Sequence, residues 1–404
     1  MRRLLNPLQS NSFFLFGARG TGKTWLLKSL LAGPNVTTID LLGSRDFDRY
    51  SQHPELLSEL IAGLGEGAQW VVIDEVQKVP AILDMVHLEI EAHSRSSLGV
   101  TKERPAGRKI LFALTGSSAR KLKRGRANLL AGRAFLNYLF PLTSLELPDE
   151  YSLNQILEWG TLPRVVGTSD LMQREEFLFG YVNTYLREEI LEEQLARSGP
   201  PFRKFLEVAA QSNGQIVNYS KIGEDVGLSS PTIASYFQIL EDTLLAHRID
   251  AFHLSVRKRQ RQAPKYYFFD LGVQRALSRA LGQALPPANY GFGRAFEHFV
   301  VCELIRLASY KRLNWDFSYL MTKDQVEIDL IIEPPGRKRI LVEIKSTDHV
   351  TEADLKSLRS LGKEIEHSEK FVLSLDKIAR SVDGIKILHW KDGLRELGLV
   401  DTQT

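Results

Sequence analysis

Short apolar runs punctuate the first 145 residues, and helical spacing fills the stretches between them. The runs at 13–16, 36–40, 70–74 and 110–115 predict strands, and their alternation with helices predicts an α/β sheet. The stretch 91–109 is polar and basic, and predicts an exposed excursion. From Pro148 to about Pro201 the pattern turns helical, with Phe177, Val182, Tyr185, Leu186 and Ile190 recurring at roughly helical spacing. Gly199-Pro200-Pro201 marks a boundary there.

Beyond it, Phe205, Leu206, Val208 and Ala209 predict a first helix and Ser220 to Val226 a second, with Gly227 making a turn. Ser229 or Ser230 caps a third, with Pro231 in its first turn and Ile233, Tyr236, Phe237 and Leu240 on its apolar side. Strand-like runs at 244–249 and 265–269 flank a polar, basic loop. The whole predicts a winged helix-turn-helix. After Leu285-Pro286-Pro287 the pattern mixes again: a helix near 291–308, a strand ending near Ile331, a turn at Pro334-Pro335-Gly336, a strand at 340–345, a helix at 351–362 and a strand at 370–374.

Composition alters this picture little. At 404 residues, 43% hydrophobic and 25% charged, the chain is an ordinary globular one with room for several domains. A single cysteine, Cys302, excludes an internal disulfide and a cysteine-rich zinc site, so a reducing cytoplasm is expected. Its apolar neighbours predict a buried thiol. No apolar stretch reaches membrane-spanning length, and the first residues lack the apolar core of a signal peptide. The net charge of +3 says little about partners.

The chemistry is concentrated at Gly17-Ala18-Arg19-Gly20-Thr21-Gly22-Lys23-Thr24, which fits G-x-x-x-x-G-K-[ST] between a strand and a helix. Its glycines let backbone N–H groups turn toward phosphate oxygens, Lys23 supplies a charge for the β/γ-phosphates, and the Thr24 hydroxyl can ligate Mg²⁺. The helix that follows points its positive end at the same anion. Trp70-Val71-Val72-Ile73 ends in Asp74-Glu75, placing two acids at the carboxyl end of a buried strand. Asp74 is expected in the Mg²⁺ shell, and Glu75 is expected to orient or deprotonate the attacking water.

On these motifs the chain resembles the AAA+ branch of P-loop ATPases. The resemblance implies a sensor for the γ-phosphate at Ser117, or at Thr115, in the run Thr115-Gly116-Ser117-Ser118. It makes Arg133 a candidate arginine finger, acting in cis or from a neighbouring subunit of a homo-oligomeric ring such as a hexamer. The runs Leu129-Leu130-Ala131-Gly132-Arg133, Leu139-Phe140-Pro141-Leu142, Gly160-Thr161-Leu162-Pro163 and Tyr266-Tyr267-Phe268-Phe269-Asp270-Leu271-Gly272 resemble an archaeal and bacterial subfamily with a C-terminal domain of unknown function. The implied organisation is an ATPase core at 1–147, a helical lid or linker at 148–201, a winged helix at 202–285 and an α/β domain at 286–404.

That last domain resembles the PD-(D/E)xK nuclease core, which is restriction-endonuclease-like. Glu297 lies on the helix, Asp329 ends Val326-Glu327-Ile328-Asp329, and Glu343 and Lys345 share one strand face. Asp329 and Glu343 could hold Mg²⁺ or Mn²⁺ with the Ile344 carbonyl, Lys345 could position a water, and Glu297 could complete a second metal shell. Glu327 is a further candidate ligand, and His298 is expected to be structural.

Two basic runs, Arg120-Lys121-Leu122-Lys123-Arg124-Gly125-Arg126 and Arg257-Lys258-Arg259-Gln260-Arg261, suit a phosphate backbone. The third predicted helix offers Ser229, Ser230, Thr232, Ser235 and Gln238, which position a backbone better than they read bases. The expected function is an Mg²⁺-dependent ATPase that remodels or translocates DNA, with branched forms such as a Holliday junction in view. The alternatives are an ATP-regulated metal-dependent nuclease and a nucleotide-gated regulator or defence protein acting on a protein partner.

Overall fold

Strands β1 (Ser12–Phe16), β2 (Val36–Asp40), β3 (Gln69–Asp74), β4 (Ile110–Gly116) and β5 (Ala134–Tyr138) form an all-parallel sheet in the order β2-β3-β4-β1-β5. The structure is a computed structural model and describes residues 2–65, 69–97, 110–117, 132–185, 199–253, 262–287, 289–365 and 367–401. Phe13, Phe14, Leu15 and Phe16 are 0% exposed. A central parallel strand is covered on both faces, which is why this run is apolar without alternation. Burying each of these side chains is worth roughly 1.5–3 kcal/mol.

The sheet belongs to a unit made of Arg2–Phe140 and Asp242–Leu244. Strand β5 was not expected from the pattern: Leu136 is exposed and Asn137 is buried, as on an edge strand with one uncovered face. The expected excursion at 91–109 also needs correction. Helix Ile82–Ser97 runs through 91–97, anchored by Ile82, Leu83 and Val86, which are buried on one side. Residues 98–109 lie outside the described residues.

The second unit comprises Pro141–Glu241 and Leu245–Thr404, so the expected cuts near 201 and 285 both fall inside it. Helices Leu153–Trp159, Pro163–Val166 and Leu171–Gly180 lead into a π-helical turn at Tyr181–Tyr185. Leu186 and Ile190 lie outside the described residues. Gly199-Pro200-Pro201 opens the helix Gly199–Gln211; prolines in a first helical turn remove no hydrogen bond. Helices Tyr219–Val226 and Ser230–Asp242 follow, separated by Gly227 in the left-handed region at φ 81°.

Strands β6 (Ala246–Ala251) and β7 (Lys265–Phe268) are antiparallel, but they do not stand apart as a wing. β6 pairs in parallel with β8 (Asp316–Met321) at Asp250 and Ser318. The hairpin therefore edges an eight-stranded sheet that includes β9 (Glu327–Glu333), β10 (Arg339–Lys345), β11 (Ser368–Ser374), β12 (Arg380–Val382) and β13 (Ile385–His389). Its order is β12-β13-β11-β10-β9-β8-β6-β7. Helix Tyr290–Tyr310 packs Phe296, Phe299 and Val300 into one core with Leu330, Val342, Ile344 and Phe371.

Two of the runs that carry the subfamily resemblance meet in this unit. The buried Asp270 carboxylate accepts from Thr161 N (2.7 Å) and Val273 N (3.1 Å). A β-carbon at Gly160 would collide with that carboxylate, and one at Gly272 would collide with the Trp159 carbonyl. Arg306 reaches the same place, donating to Phe269 O at 2.6 Å and to Thr161 Oγ1 at 3.3 Å. Beside it, burial pushes the Cys302 thiol up to about 12 and His298 down to about 3. His298 is neutral at ordinary pH, its two ring nitrogens facing Asn213 Nδ2 (3.1 Å) and Phe268 O (2.6 Å). No helix among the described residues is long and apolar enough to cross a membrane.

Candidate functional site

The loop after β1 sits at the carboxyl end of the parallel sheet, where open α/β sheets hold ligands. Gly20 (φ 83°) and Gly22 (φ 94°) occupy the left-handed region, which side chains rarely adopt. A β-carbon at Gly17 would collide with the Leu139 carbonyl. Thr21 is fully buried and donates to Ala18 O at 2.9 Å, whereas Arg19 is exposed. Arg3, which the pattern did not single out, braces the loop through Thr21 O (2.8 Å) and Phe140 O (2.6 Å). Helix Lys23–Leu30 begins at the lysine itself. Lys23 is buried, its Nζ 2.8 Å from Gly17 O and 3.7 Å from Glu75 Oε1.

The predicted acids stand next to these groups. Thr24 Oγ1 donates to Asp74 Oδ2 at 2.7 Å, so the hydroxyl and carboxylate expected to share an Mg²⁺ are already together. The other Asp74 oxygen accepts from Thr115 Oγ1, and that hydroxyl accepts from Glu75 N at 3.0 Å. Glu75 itself has φ 58° and ψ 48°. A left-handed non-glycine residue costs on the order of 1–2 kcal/mol, and such strain is characteristic of functional positions. Here it turns the Glu75 side chain out of line with β3.

Sequence reasoning missed Gln77. It follows Glu75 on a short 3₁₀ turn, Val76–Lys78, and is buried. Its Nε2 donates both to Glu75 Oε2 and to Ser117 Oγ, the latter at 3.0 Å. Gln77 therefore joins the two residues that the sequence assigned to water activation and γ-phosphate sensing. The signal available was only a glutamine at that spacing, which is unremarkable without the turn.

Arg133 is not brought to this site. It precedes Ala134, which pairs with Ser12 at the opposite end of the sheet from the loop. Five residues of strand separate it from the phosphate-binding end, about 16 Å at ~3.3 Å per residue. Its Nη2 instead lies 2.7 Å from Glu91 Oε1. The basic runs Arg120 to Arg126 and Arg257 to Arg261, with Ser118, lie outside the described residues.

The C-terminal candidates do converge. Glu297 accepts from Tyr267 Oη at 2.6 Å, Lys345 Nζ is 2.6 Å from Glu343 Oε1, and Asp329 Oδ2 accepts from Ile344 N at 2.7 Å. Burial first, then the Glu343 and Glu297 carboxylates, hold Asp329 well above the ordinary carboxylate range. Burial likewise raises Glu343 against the opposing pull of Lys345. Yet among the described residues no group of three or more His, Cys, Asp or Glu is arranged to hold a metal ion. Lys265 stands between Glu297 and Glu327, so that pair does not fit a resident divalent ion, whereas Glu343 Oε2 is buried with no hydrogen-bond partner.

Loop, paired hydroxyl and carboxylate, and second acid stand together as the P-loop pattern expects of a nucleoside-triphosphate site. Residues 9–147 match the family model described as an AAA domain, which supports an AAA+ P-loop ATPase core. Residues 150–284 and 292–392 match two models each described as a domain of unknown function, DUF8612 and DUF4143. An uncharacterized protein of Mycobacterium tuberculosis is 25% identical over 346 residues, 86% of this chain and 72% of that one. An uncharacterized protein of Haemophilus influenzae is 25% identical over 302 residues, 70% of each chain. Among solved structures, the Aeropyrum pernix ORC2 protein in its ADPNP-ADP complexes aligns with a TM-score of 0.36 and 12% identity, over 67% of this chain and 87% of that one.

Proposed function

We propose that the chain is an Mg²⁺-dependent ATP hydrolase whose cycle acts on DNA as part of a homo-oligomer. The observation that carries the hydrolase reading is the contact chain Thr24–Asp74–Thr115–Glu75–Gln77–Ser117. Thr24 and Asp74 would hold Mg²⁺, which would supply neutralisation of the phosphate charge. Lys23 binds and orients the phosphates. Glu75, aimed by its left-handed backbone and by Gln77, takes a proton from the attacking water. Ser117 can register the γ-phosphate through the same glutamine, so occupancy and acid geometry are linked.

Arg133 lies too far from its own loop to touch its own nucleotide, which favours the trans reading of the finger. Lys23→Ala and Arg133→Ala proteins should each be inactive alone and recover turnover when mixed, because each supplies what the other lacks. An inactive mixture counts against a shared site.

The DNA reading rests on the basic runs and on helix Ser230–Asp242, where Ser235 and the preceding Ser229 are exposed. Small hydroxyl side chains and cations suit sequence-tolerant backbone binding. ATP turnover should rise on adding DNA, most with four-way junctions over duplex and single strands. Turnover indifferent to every DNA, with a protein recovered on pull-down, would favour the regulator reading instead.

A further inference from the structure

Three carboxylates of the C-terminal sheet and one of the helix Tyr290–Tyr310 lie around two lysines, and one of those lysines comes from an unexpected element. Glu327 and Asp329 stand on β9, Glu343 on β10, and Glu297 on helix Tyr290–Tyr310. Lys345, on β10, serves Glu343. Lys265 comes from β7, at the sheet's edge. Its Nζ lies 3.7 Å from Glu297 Oε1, pairs with Glu327, and sits 5.3 Å from the Tyr319 ring centroid. Tyr267, on the same face of β7 by strand alternation, fixes Glu297 from the other side.

Lys265 is only 4% exposed. An ammonium that deep persists only where anions surround it. It stands between two carboxylates carried by separate elements, helix Tyr290–Tyr310 and β9.

We propose that Lys265 is the resident cation of this cluster, its ammonium filling the position between Glu297 and Glu327 that a divalent metal would otherwise occupy. The cluster is then completed by Lys265 and Tyr267, both of which precede residue 286, and the region 286–404 does not finish its own site. The inference stands apart from the ATPase reading, because it concerns different residues and does not require nucleotide.

The test is thermal melting of the full nucleotide-free chain with and without MnCl₂. Lys265→Met should melt lower than wild type in the absence of metal. At about a hundredfold excess of Mn²⁺ over Kd, it should regain about 5–10 °C. Wild type and the double variant Lys265→Met/Glu327→Gln should shift far less. The proposal is overturned if Lys265→Met gains nothing from Mn²⁺, or if wild type gains as much and Glu327→Gln removes the gain. Should Lys265→Met not fold, Glu327→Gln alone decides: an unchanged Mn²⁺ response supports the proposal, and a lost response overturns it.

Discussion

Glu75→Gln should lower ATP turnover by about 10²–10⁴-fold, the usual contribution of a positioned general base, while nucleotide remains bound. The amide keeps the size and one acceptor of the carboxylate but cannot take a proton. Its backbone remains left-handed, and Gln77 still has an oxygen to donate to. Bound ATP should therefore accumulate unhydrolysed, read as retained nucleoside triphosphate after desalting. Full-rate hydrolysis by this variant would remove Glu75 from the chemistry and shift the role to another acceptor.

Lys23→Ala should fail earlier, at binding. Lys23 is buried and its ammonium donates to Gly17 O, so it is preorganised at the loop rather than recruited from solvent. Truncating one partner of a buried charged hydrogen bond typically costs about 2–5 kcal/mol, roughly a 30- to 4,000-fold loss of affinity. Titration with a fluorescent ATP analogue reads this directly. Wild-type affinity in Lys23→Ala would mean that the loop is not the nucleotide site. The two variants thus separate binding from chemistry within one contact network.

The grouping of the loop with its two acids was legible because these residues are local in sequence or end one strand. Gly17 to Thr24 is contiguous, and Asp74-Glu75 ends a strand whose apolar run cannot be placed on a surface. The structure added what spacing could not carry: Gln77 joining Glu75 to Ser117, Arg3 bracing Thr21, and the placement of Arg133 at the far end of β5. Strand β5 itself went unread because an edge strand mixes an exposed leucine with a buried asparagine.

The C-terminal half was legible as elements but not as an assembly. The strands at 244–249 and 265–269 were expected as a wing, yet whether a hairpin stands free or joins a sheet depends on pairing with Ser318, far away in sequence. The same long-range pairing brings Lys265 to Glu297 and Glu327, so the acids expected to bind metal meet a lysine that the motif does not include. Strands β8, β12 and β13 and the helix Trp390–Glu396 were likewise not anticipated, being short and only partly apolar.

The most direct test of the central claim is steady-state ATP hydrolysis by the purified full chain with Mg²⁺, beside Lys23→Ala and Glu75→Gln, with and without four-way-junction DNA. The account predicts turnover in wild type, stimulated by the junction and lost in both variants. Absence of Mg²⁺-dependent turnover in wild type with and without DNA, or equal turnover in all three proteins, would contradict it.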